Sequence, residues 1–264
     1  MRRCGRRSPV VSFGTLCSQL FCERSSRIEL NAHLQYFSGP LLAENVHTAF
    51  NLPDSAFTQH SSEMPNFGFT QDRYWFRTLL LQPRSDENWL LELRYPPLDH
   101  VDVFLLDVHG EVLQAAYGGD RRPFASRVVS NRHFTVLLPM PLNEPVWLYI
   151  RVQTDGSLQL PALLTRPEHF VADSRNEQYL LGLYYGTLLS MLLYNLLIYL
   201  SIRDSSHLYY IFYIGSYSLF QMTLNGLAFE HLWPDAPAWN NRALPFLICL
   251  SMFALMLLTR TFLR

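Results

Sequence analysis

The chain of 264 residues has a formal net charge of -1 at pH 7, with 49% hydrophobic and 14% aromatic residues. This apolar content excludes disorder for most of the chain, because it supplies enough surface to bury. The 21 basic residues, all of them Arg, are balanced by 22 acidic ones. The chain therefore lacks the basic field that nucleic-acid binding requires.

Charged residues are distributed unevenly along the chain. Only seven of the 43 charged residues follow position 177, although that part is 87 residues long. A long stretch with so few charges is typical of membrane-spanning segments. The sequence therefore predicts a water-exposed part followed by a membrane part, with the boundary near residue 178.

Residues 1–60 are predicted to be a leader. A basic stretch precedes a mildly apolar segment with no acidic residue before Glu23, which is the outline of a secretory signal. Polar residues dilute this segment and no A-x-A-like cleavage site follows, so a degenerate signal segment, a mis-assigned start and a disordered leader stay open. The Cys positions leave the middle of the chain without a disulfide framework. They are Cys4, Cys17, Cys22 and Cys249.

Residues 61–173 are predicted to form an all-β domain. Short runs rich in β-branched and aromatic residues alternate here with Pro, Gly, Asn and Asp, and several runs alternate apolar with polar positions. Seven such strands in about 100 residues indicate a two-layer sandwich or jelly roll. The predicted strands are Tyr74–Leu81, Trp89–Tyr95, Val101–Asp107, Glu111–Ala116, His133–Leu138, Val146–Gln153 and Ser157–Leu164.

Residues 178–264 are predicted to contain three transmembrane helices, at about 179–202, 206–229 and 243–260. The first is an uncharged run long enough to cross a hydrocarbon core of about 30 Å, the second is more polar, and the third is near the minimum length. The polar turn between the first two is short enough to require an antiparallel hairpin. A small-residue stripe, Gly182, Gly186 and Ser190, is predicted to pack against a neighbouring helix. Asn195 and Asn225 are predicted to form interhelical hydrogen bonds.

The order of several short motifs resembles a known family. The first set is Asn66 to Thr70 (NFGFT), Tyr74 to Arg77 (YWFR), Leu98 to Asp102 (LDHVD), Gly118 to Asp120 (GGD), Pro123, Phe124, Arg127 and Arg151 to Thr154 (RVQT). These resemble the extracellular type 2 sensor domain of bacterial seven-transmembrane receptors with diverse intracellular signalling modules (7TMR-DISM). A second set resembles the first two membrane helices of that family and the loop after them. It comprises Gly182, Tyr185, Gly186, Tyr194, Asn195, Arg203, Asp204, Tyr209, Tyr210, Gln221, Asn225, Gly226, Trp233 and Pro234.

The resemblance implies a periplasmic jelly-roll sensor of carbohydrate-binding-module type, which feeds a seven-helix membrane domain in the bacterial inner membrane. It also implies a topology with the β domain and the Trp233 loop outside, and the turn after Ile202 and Arg264 inside. A cyclase, phosphodiesterase or kinase output module usually follows in this family. Because only three spans and no output module are present, the chain is expected to be the N-terminal part of a receptor.

Proteins bind sugars by stacking a face of the sugar on an aromatic ring and by hydrogen-bonding its hydroxyls with polar side chains. These residue types give the candidate ligand residues of the β domain. They are Trp75, Arg77, Arg127, Arg151 and Gln153. Two alternatives stay open: the aromatics belong to the core, and Arg77 and Arg151 pair with Asp99 or Asp102. No metal-ligand spacing, cofactor motif or catalytic motif is found, so no metal, cofactor or enzymatic activity is expected.

The sequence thus predicts an all-β sensor domain followed by an α-helical membrane region, acting as a membrane-bound signalling receptor for an extracytoplasmic ligand such as a carbohydrate. The expected partners are the lipid bilayer and that ligand, with a homodimer left open. The alternative is a structural or protein-interaction component of the cell envelope that senses no ligand.

Overall fold

The computed structural model describes residues 20–21, 26–39, 45–59, 66–82 and 88–263. About half of the predicted leader, including Cys4, Cys17 and Cys22, lies outside the described residues. In the described part, the helices are α1 Val46–Phe50, α2 Pro167–Ile202, α3 Ser205–Leu224, α4 Leu227–His231 and α5 Pro237–Phe262. The strands are β1 Leu20–Phe21, β2 Arg27–Glu29, β3 Gln35–Ser38, β4 Thr58–Gln59, β5 Asn66–Phe69, β6 Tyr74–Leu81, β7 Trp89–Leu93, β8 His100–Leu106, β9 Val112–Gly118, β10 Phe134–Leu138, β11 Pro145–Gln153, β12 Ser157–Gln159 and β13 Ala162–Thr165.

The strands form two main sheets and a small ribbon. The first sheet has the order β4-β3-β6-β11-β8-β9, and β1 lies parallel to β6 at the same sheet. The second sheet has the order β10-β7-β13-β2, and its neighbours are antiparallel. Strands β5 and β12 pair separately. The β part of the chain is therefore a two-layer sandwich.

The core lies between the two sheets and follows from the alternation of side chains along each strand. In β11, Val146, Leu148, Ile150 and Val152 belong to this core, where they meet residues of the second sheet such as Leu91. The intervening residues of β11 point to the outer face of the first sheet. That face carries a second apolar cluster, which α1 and the segment after it cover.

The domain begins earlier than the predicted boundary at residue 61. Strand β2 pairs with β13 of the second sheet, and β3 pairs with β6 of the first, so strands that precede residue 61 contribute to both layers. These strands have two to four residues each. Segments this short carry no periodic pattern, which is why the sequence did not reveal them.

The predicted strand Ser157–Leu164 is two strands. The chain leaves the β5–β12 ribbon after Gln159 and enters the second sheet at Ala162. Pro161 lies between them and has no N–H for a ladder. Its carbonyl oxygen instead accepts a hydrogen bond from the backbone N–H of Arg94 at 3.0 Å. The prediction of one continuous strand is therefore wrong.

Helices α2 and α3 form the predicted hairpin. Arg203 takes a left-handed conformation with φ of 58°, and Asp204 caps α3 by accepting a hydrogen bond from the backbone N–H of Ser206. Helix α3 packs against both α2 and α5. The second predicted span, 206–229, is too long, because α3 ends at Leu224 and Gly226 turns the chain with φ of +77° into α4.

The other helix boundaries also differ from the predictions. Helix α2 begins at Pro167, so the predicted span 179–202 is preceded by about three polar turns of the same helix. Helix α5 begins at Pro237, ahead of the predicted start at 243, and Pro245 lies inside it. Charge patterns mark where a membrane segment begins, whereas a proline in the first helical turn marks the start of the helix itself.

Two helices in the described residues are long and apolar enough to cross a membrane by length and composition: Pro167–Ile202 and Pro237–Thr261. In the most apolar stretch of the first, no residue is buried within the chain. Helix α3, which carries Ser, Gln and Thr side chains among its aromatics, is not among them. The structure thus shows a β-rich part followed by helices of which two are candidate spans.

Candidate functional site

Two predicted ligand residues, Trp75 and Arg77, lie on the outer face of the first sheet and are buried there. The Trp75 ring is 1% exposed and stacks on Phe104. The Arg77 side chain is 3% exposed and donates hydrogen bonds to Asp54 and Gln35. This corrects the sequence prediction, because neither side chain offers a free surface to a ligand. Their roles are those of core residues.

Arg151 lies on the same face and holds a buried carboxylate. Asp102 is fully buried, and its two oxygens accept hydrogen bonds from Arg151 (Nε to Oδ2, 2.7 Å) and from Arg122 (2.6 Å). A buried charge needs such partners, since an isolated one carries a large desolvation cost. The pairing with Asp102 is one of the alternatives that the sequence left open for Arg151.

A polar surface surrounds this charge cluster. We name it the Tyr117 patch, and it comprises Tyr117, Arg122, Arg151 and Gln153. The Tyr117 ring is 52% exposed, and the Arg122 guanidinium lies 5.5 Å from its centroid. Gln153 is exposed and accepts a hydrogen bond from Arg73 at 3.4 Å. The patch therefore combines an exposed ring with polar side chains.

Arg127, the remaining predicted ligand residue, lies elsewhere, where the loops of the β domain meet the helices. We call this region the junction: it comprises residues 95–99 and 118–132 of the β domain and residues 223–245 of the helical part. Asn241 at the start of α5 donates to Asp99 Oδ1 at 2.5 Å, and Asn240 donates to Asp120 Oδ2 at 3.4 Å. The backbone N–H of Phe124 donates to the carbonyl oxygen of Pro234 at 3.1 Å.

Further junction contacts reach α2 and α4. The Phe124 and Phe229 rings pack edge to face with centroids 5.6 Å apart. Arg132 forms an ion pair with Glu177 of α2 at 2.9 Å and donates to the carbonyl oxygen of Asn225 at 3.3 Å. The loops of the β domain are therefore joined to α2, α4 and α5 by polar and aromatic contacts.

A glycine allows the junction to form. Gly119 has φ of +117°, and a Cβ atom there would lie 2.1 Å from the backbone oxygen of Asp99. The backbone N–H of Asp120 donates to the carbonyl oxygen of Leu98 at 2.8 Å. Because only glycine permits both this φ and this approach, the Gly118-Gly119-Asp120 sequence brings the Asp120 carboxyl group beside Asp99.

The junction encloses a cavity of about 360 Å³. This lies within the range of roughly 300–1,000 Å³ that small-ligand sites occupy. Its polar walls include Asp99, Asp120, Arg127 and Asn240, and its apolar walls include Phe229. Sequence reasoning placed only Arg127 among the ligand residues. The LDHVD and GGD motifs were the signal that marked Asp99 and Asp120, but their carboxyl groups come together only in the folded chain.

Two charged side chains that line the cavity, Asp120 and Arg127, each have one atom without a hydrogen-bond partner among the described residues. Burial raises the pKa of Asp120 to about 8, and both the charge of Asp99 and a hydrogen bond between the two carboxyl groups add to this shift. The Oδ1 atom of Asp120 is buried and accepts no hydrogen bond among the described residues. Burial lowers the pKa of Arg127 to about 10, and its Nε atom likewise has no hydrogen-bond partner within the described part of the chain.

A second cluster links the sandwich to α2. One atom each of Glu92, His133 and Glu177 lie within 4.8 Å of one another, a spacing that could hold a metal ion. Their carboxylates are already engaged, because Arg94 binds Glu92 and Arg132 binds Glu177, both at 2.9 Å. Burial acts to raise the pKa of Glu92, but the bonds from His133 and Arg94 outweigh it and lower the pKa. The cluster is therefore best described as an ion-pair anchor.

The predicted helix-packing residues have different surroundings. A Cβ atom at Gly182 or Gly186 would meet nothing within 4 Å, so no described helix packs on that stripe. Ser190 donates to the Gly186 carbonyl oxygen of its own helix. The predicted contact with a neighbouring helix is thus absent within the described chain. Asn195 lies 3.0 Å from the His207 ring nitrogen of α3, and Asn225 donates to the Tyr185 hydroxyl of α2 at 3.0 Å.

The structure joins a β sandwich to helices of which two are long and apolar enough to cross a membrane, and comparison with known families identifies both parts. A profile described as 7TMR-DISM extracellular 2 matches residues 31–166, and one described as 7TM diverse intracellular signalling matches residues 177–264. The chain belongs to the 7TMR-DISM family. Its domains are those of membrane sensors and signalling receptors, and the resemblance found in the sequence is confirmed.

Comparison with curated proteins finds no significant match. Among solved structures, the β-glucuronidase from Ruminococcus gnavus in complex with D-glucaro 1,5-lactone is 11% identical with a TM-score of 0.32. The alignment covers 54% of this chain and 29% of that one. The tailspike protein 4 of bacteriophage CBA120 is 7% identical with a TM-score of 0.29, over 52% of this chain and 20% of that one. Likenesses at this level carry no argument about function.

Proposed function

We propose that the chain contains the sensing domain and membrane-spanning helices of a signalling receptor, in which the β sandwich binds a ligand and the junction passes the bound state to the helices. The observation that carries this proposal is the direct contact of the Asp99 and Asp120 loops with α5, and of Phe124 with α4. A change of conformation in these loops must alter the surroundings of the helix ends, because they share hydrogen bonds.

The receptor would lie in a bacterial inner membrane with the β domain in the periplasm and three crossings, by α2, α3 and α5. Support for the third crossing comes from the α2–α3 hairpin, since an antiparallel α3 of 20 residues packs between two apolar helices. A helix of this length spans about 30 Å. Its Ser, Thr and Gln side chains bond to carbonyl oxygens or tyrosine hydroxyls of its own helix, which lowers the cost of placing them in the membrane.

A carbohydrate is the ligand class that the sequence predicts, and the Tyr117 patch is the surface of the sandwich that supports it best. An exposed ring with polar side chains around it matches the way proteins bind sugars, by stacking on one face and hydrogen-bonding the hydroxyls. Substituting Tyr117→Ala is expected to abolish any sugar-induced rise in the unfolding temperature of the purified chain. Val112→Ala, on the same strand and also exposed, is the matched control. A homodimer stays a prediction.

Topology mapping tests the proposal. Reporter enzymes that are active only in the periplasm or only in the cytoplasm would be fused after residues 173, 204, 235 and 263. The proposal predicts periplasmic, cytoplasmic, periplasmic and cytoplasmic activity in that order. If α3 does not cross, the last two fusions exchange sides. A cytoplasmic fusion after residue 173 would contradict the receptor proposal.

The alternative is an envelope protein whose β domain binds another protein and senses no ligand. A conformational readout distinguishes the two, because only a sensor changes its junction when ligand binds. A fluorophore attached at Cys249, which is exposed, would report such a change in α5. A sugar that stabilises the chain while leaving this signal unchanged would favour the alternative.

A further inference from the structure

The Tyr117 patch contains a row of side chains across three neighbouring strands. Arg151 of β11 lies opposite Asp102 of β8, and Asp102 lies opposite Tyr117 of β9. Neighbouring strands are about 4.8 Å apart, so these side chains stand side by side on the outer face of the first sheet. The guanidinium of Arg122 lies 5.5 Å from the centroid of the Tyr117 ring. A ligand that lies against this ring is therefore within reach of Arg122.

Arg122 has an unused edge that is open to solvent. All of its hydrogen bonds in the described chain come from Nη1, which donates to Asp102 Oδ1 at 2.6 Å and to the carbonyl oxygens of Gly118 at 3.0 Å and Val101 at 3.4 Å. Its Nε and Nη2 groups have no partner there and are not buried, and the side chain is 27% exposed. Nε–H and Nη2–H form one side of the guanidinium, and together they match the two oxygens of a carboxylate.

The patch and its rim carry a net positive charge. Arg73 at the rim donates to Gln153, and Arg122 and Arg151 both bind Asp102. Three guanidinium groups against one carboxylate leave a net charge of +2 in this group. Such a charge attracts anions and disfavours cationic ligands.

The half-buried His100, which lies opposite Gln153 in the sheet, reports the same field. Burial lowers the pKa of His100, and the charges of Arg122 and Arg121 lower it further, against the opposing charges of Asp99 and Asp102. The arginines thus outweigh the carboxylates at this end of the sheet. An anionic group would find favourable charge here, although both carboxylates lie close by.

We infer that the ligand of the Tyr117 patch is an acidic sugar, a hexuronate whose ring lies against Tyr117 and whose carboxylate is bound by Nε–H and Nη2–H of Arg122. The Nε2 group of Gln153 is exposed and donates no hydrogen bond among the described residues, so it is available to a sugar hydroxyl. This inference rests on the proposed function, because it specifies the ligand class of the same surface and makes Arg122 the residue that determines specificity.

The position of Arg122 also connects the ligand with the junction. The preceding residue, Arg121, forms ion pairs with Asp99 and Asp155. Asp120, one residue earlier, accepts a hydrogen bond from Asn240 of α5 at 3.4 Å. A carboxylate held by Arg122 therefore acts on a short loop whose other side chains contact the helical part of the chain.

The test compares sugars that differ only at C6, using the purified full chain in detergent. D-galacturonate and D-glucuronate carry a carboxylate there, whereas D-galactose and D-glucose carry a hydroxymethyl group. Each hexuronate is expected to raise the unfolding temperature and to bind about tenfold more tightly than its neutral counterpart in titration calorimetry. This preference should decrease as NaCl is raised from about 0.05 to 0.5 M, because salt screens exposed charges. Acetate, an anion without a sugar ring, should have little effect.

Three variants sharpen the test. Arg122→Gln is expected to remove the preference for the hexuronate while weak binding of the neutral sugar persists. Arg73→Gln reduces the charge of the patch without touching Asp102, so it should reduce the preference by a smaller factor. Arg175→Gln makes the same change at an exposed position of α2 and is the matched control, with sugar binding unchanged.

Four outcomes would overturn the inference. The first is that neither hexuronate at about 10 mM raises the unfolding temperature of the unsubstituted chain. The second is that the neutral sugars bind as tightly as the hexuronates, which would leave the sugar-binding part of the proposed function intact. The third is that acetate stabilises the chain as much as D-galacturonate does. The fourth is that Arg122→Gln folds and keeps the full preference. The first three need no variant, and none of the four affects the topology that tests the receptor proposal.

Discussion

At the scale of single residues, the structure separates charges that stabilise the fold from charges that are available for function. Asp102 and Arg77 are buried and hydrogen-bonded to their charged partners, whereas the buried Asp120 and the half-buried Arg127 each have one atom without a hydrogen-bond partner among the described residues. Sequence reasoning selected Arg77, Arg127 and Arg151 together because arginine side chains can hydrogen-bond the hydroxyl groups of a sugar. It could not rank them, because the partner of each arginine is fixed by strand register or by a loop distant in sequence.

The pH dependence of stability is expected to report Asp120. Its pKa is raised from 3.8 to about 8 on folding, so between these values the folded chain binds more protons than the unfolded chain. Stability must therefore fall as the pH rises through this window, by up to about 1.4 kcal/mol per pH unit. The unfolding temperature of the unsubstituted chain should fall between pH 5 and pH 8 relative to that of Asp120→Asn. Parallel pH profiles for the two proteins would contradict this assignment.

The role of Arg151 is also open to a direct test. When Arg151 is removed, the fully buried Asp102 keeps Arg122 as its remaining guanidinium partner. Arg151→Ala is therefore expected to destabilise the chain by about 2–4 kcal/mol. Gln153→Ala, two residues along the same strand and exposed, should change stability by less than about 0.5 kcal/mol. Equal effects in denaturant unfolding would show that Arg151 does not hold Asp102.

At the scale of elements, the long strands were predicted and the short strands near the start of the β domain were not. Strand β6 has the predicted bounds Tyr74–Leu81, and β11 differs by one residue, because both are runs of eight or nine residues rich in apolar and aromatic side chains. Strands β2, β3 and β4 have too few residues for a pattern. Helix ends were displaced for a different reason. Charge patterning locates the membrane boundary, but Pro167, Gly226 and Pro237 determine where the helices begin and end.

Two glycines of the helical part should respond oppositely to substitution. A Cβ atom at Gly226 would meet Pro96 at 2.9 Å, and its φ of +77° disfavours any other residue. Gly226→Ala is therefore expected to lower stability by about 1–3 kcal/mol. Gly182 lies within α2 with nothing inside 4 Å, so Gly182→Ala should be neutral or slightly stabilising, because alanine favours helix. If Gly182→Ala lowered the stability of the chain, the open surroundings of this glycine would be contradicted.

At the scale of the whole molecule, the sequence indicated a β sensor followed by membrane helices and identified the family, but it gave no view of how the two parts meet. Asp99, Asp120, Phe124, Phe229 and Asn241 are separated by up to 142 positions, and none belongs to a periodic pattern. Their contacts depend on the turn at Gly119 and on the end of α3 at Leu224. The junction is consequently a property of the folded chain, although Asp99, Asp120 and Phe124 lie within motifs that the resemblance had marked.

The central claim is that the β domain and the helices are coupled through direct contacts at the junction. A double-mutant cycle on Phe124 and Phe229, whose rings pack edge to face with centroids 5.6 Å apart, tests it most directly in unfolding of the purified chain. The account predicts that Phe124→Ala and Phe229→Ala are not additive, with a coupling energy of about 0.5–1.5 kcal/mol. Strict additivity of the two substitutions would contradict the contact and, with it, the coupling of sensor to membrane helices.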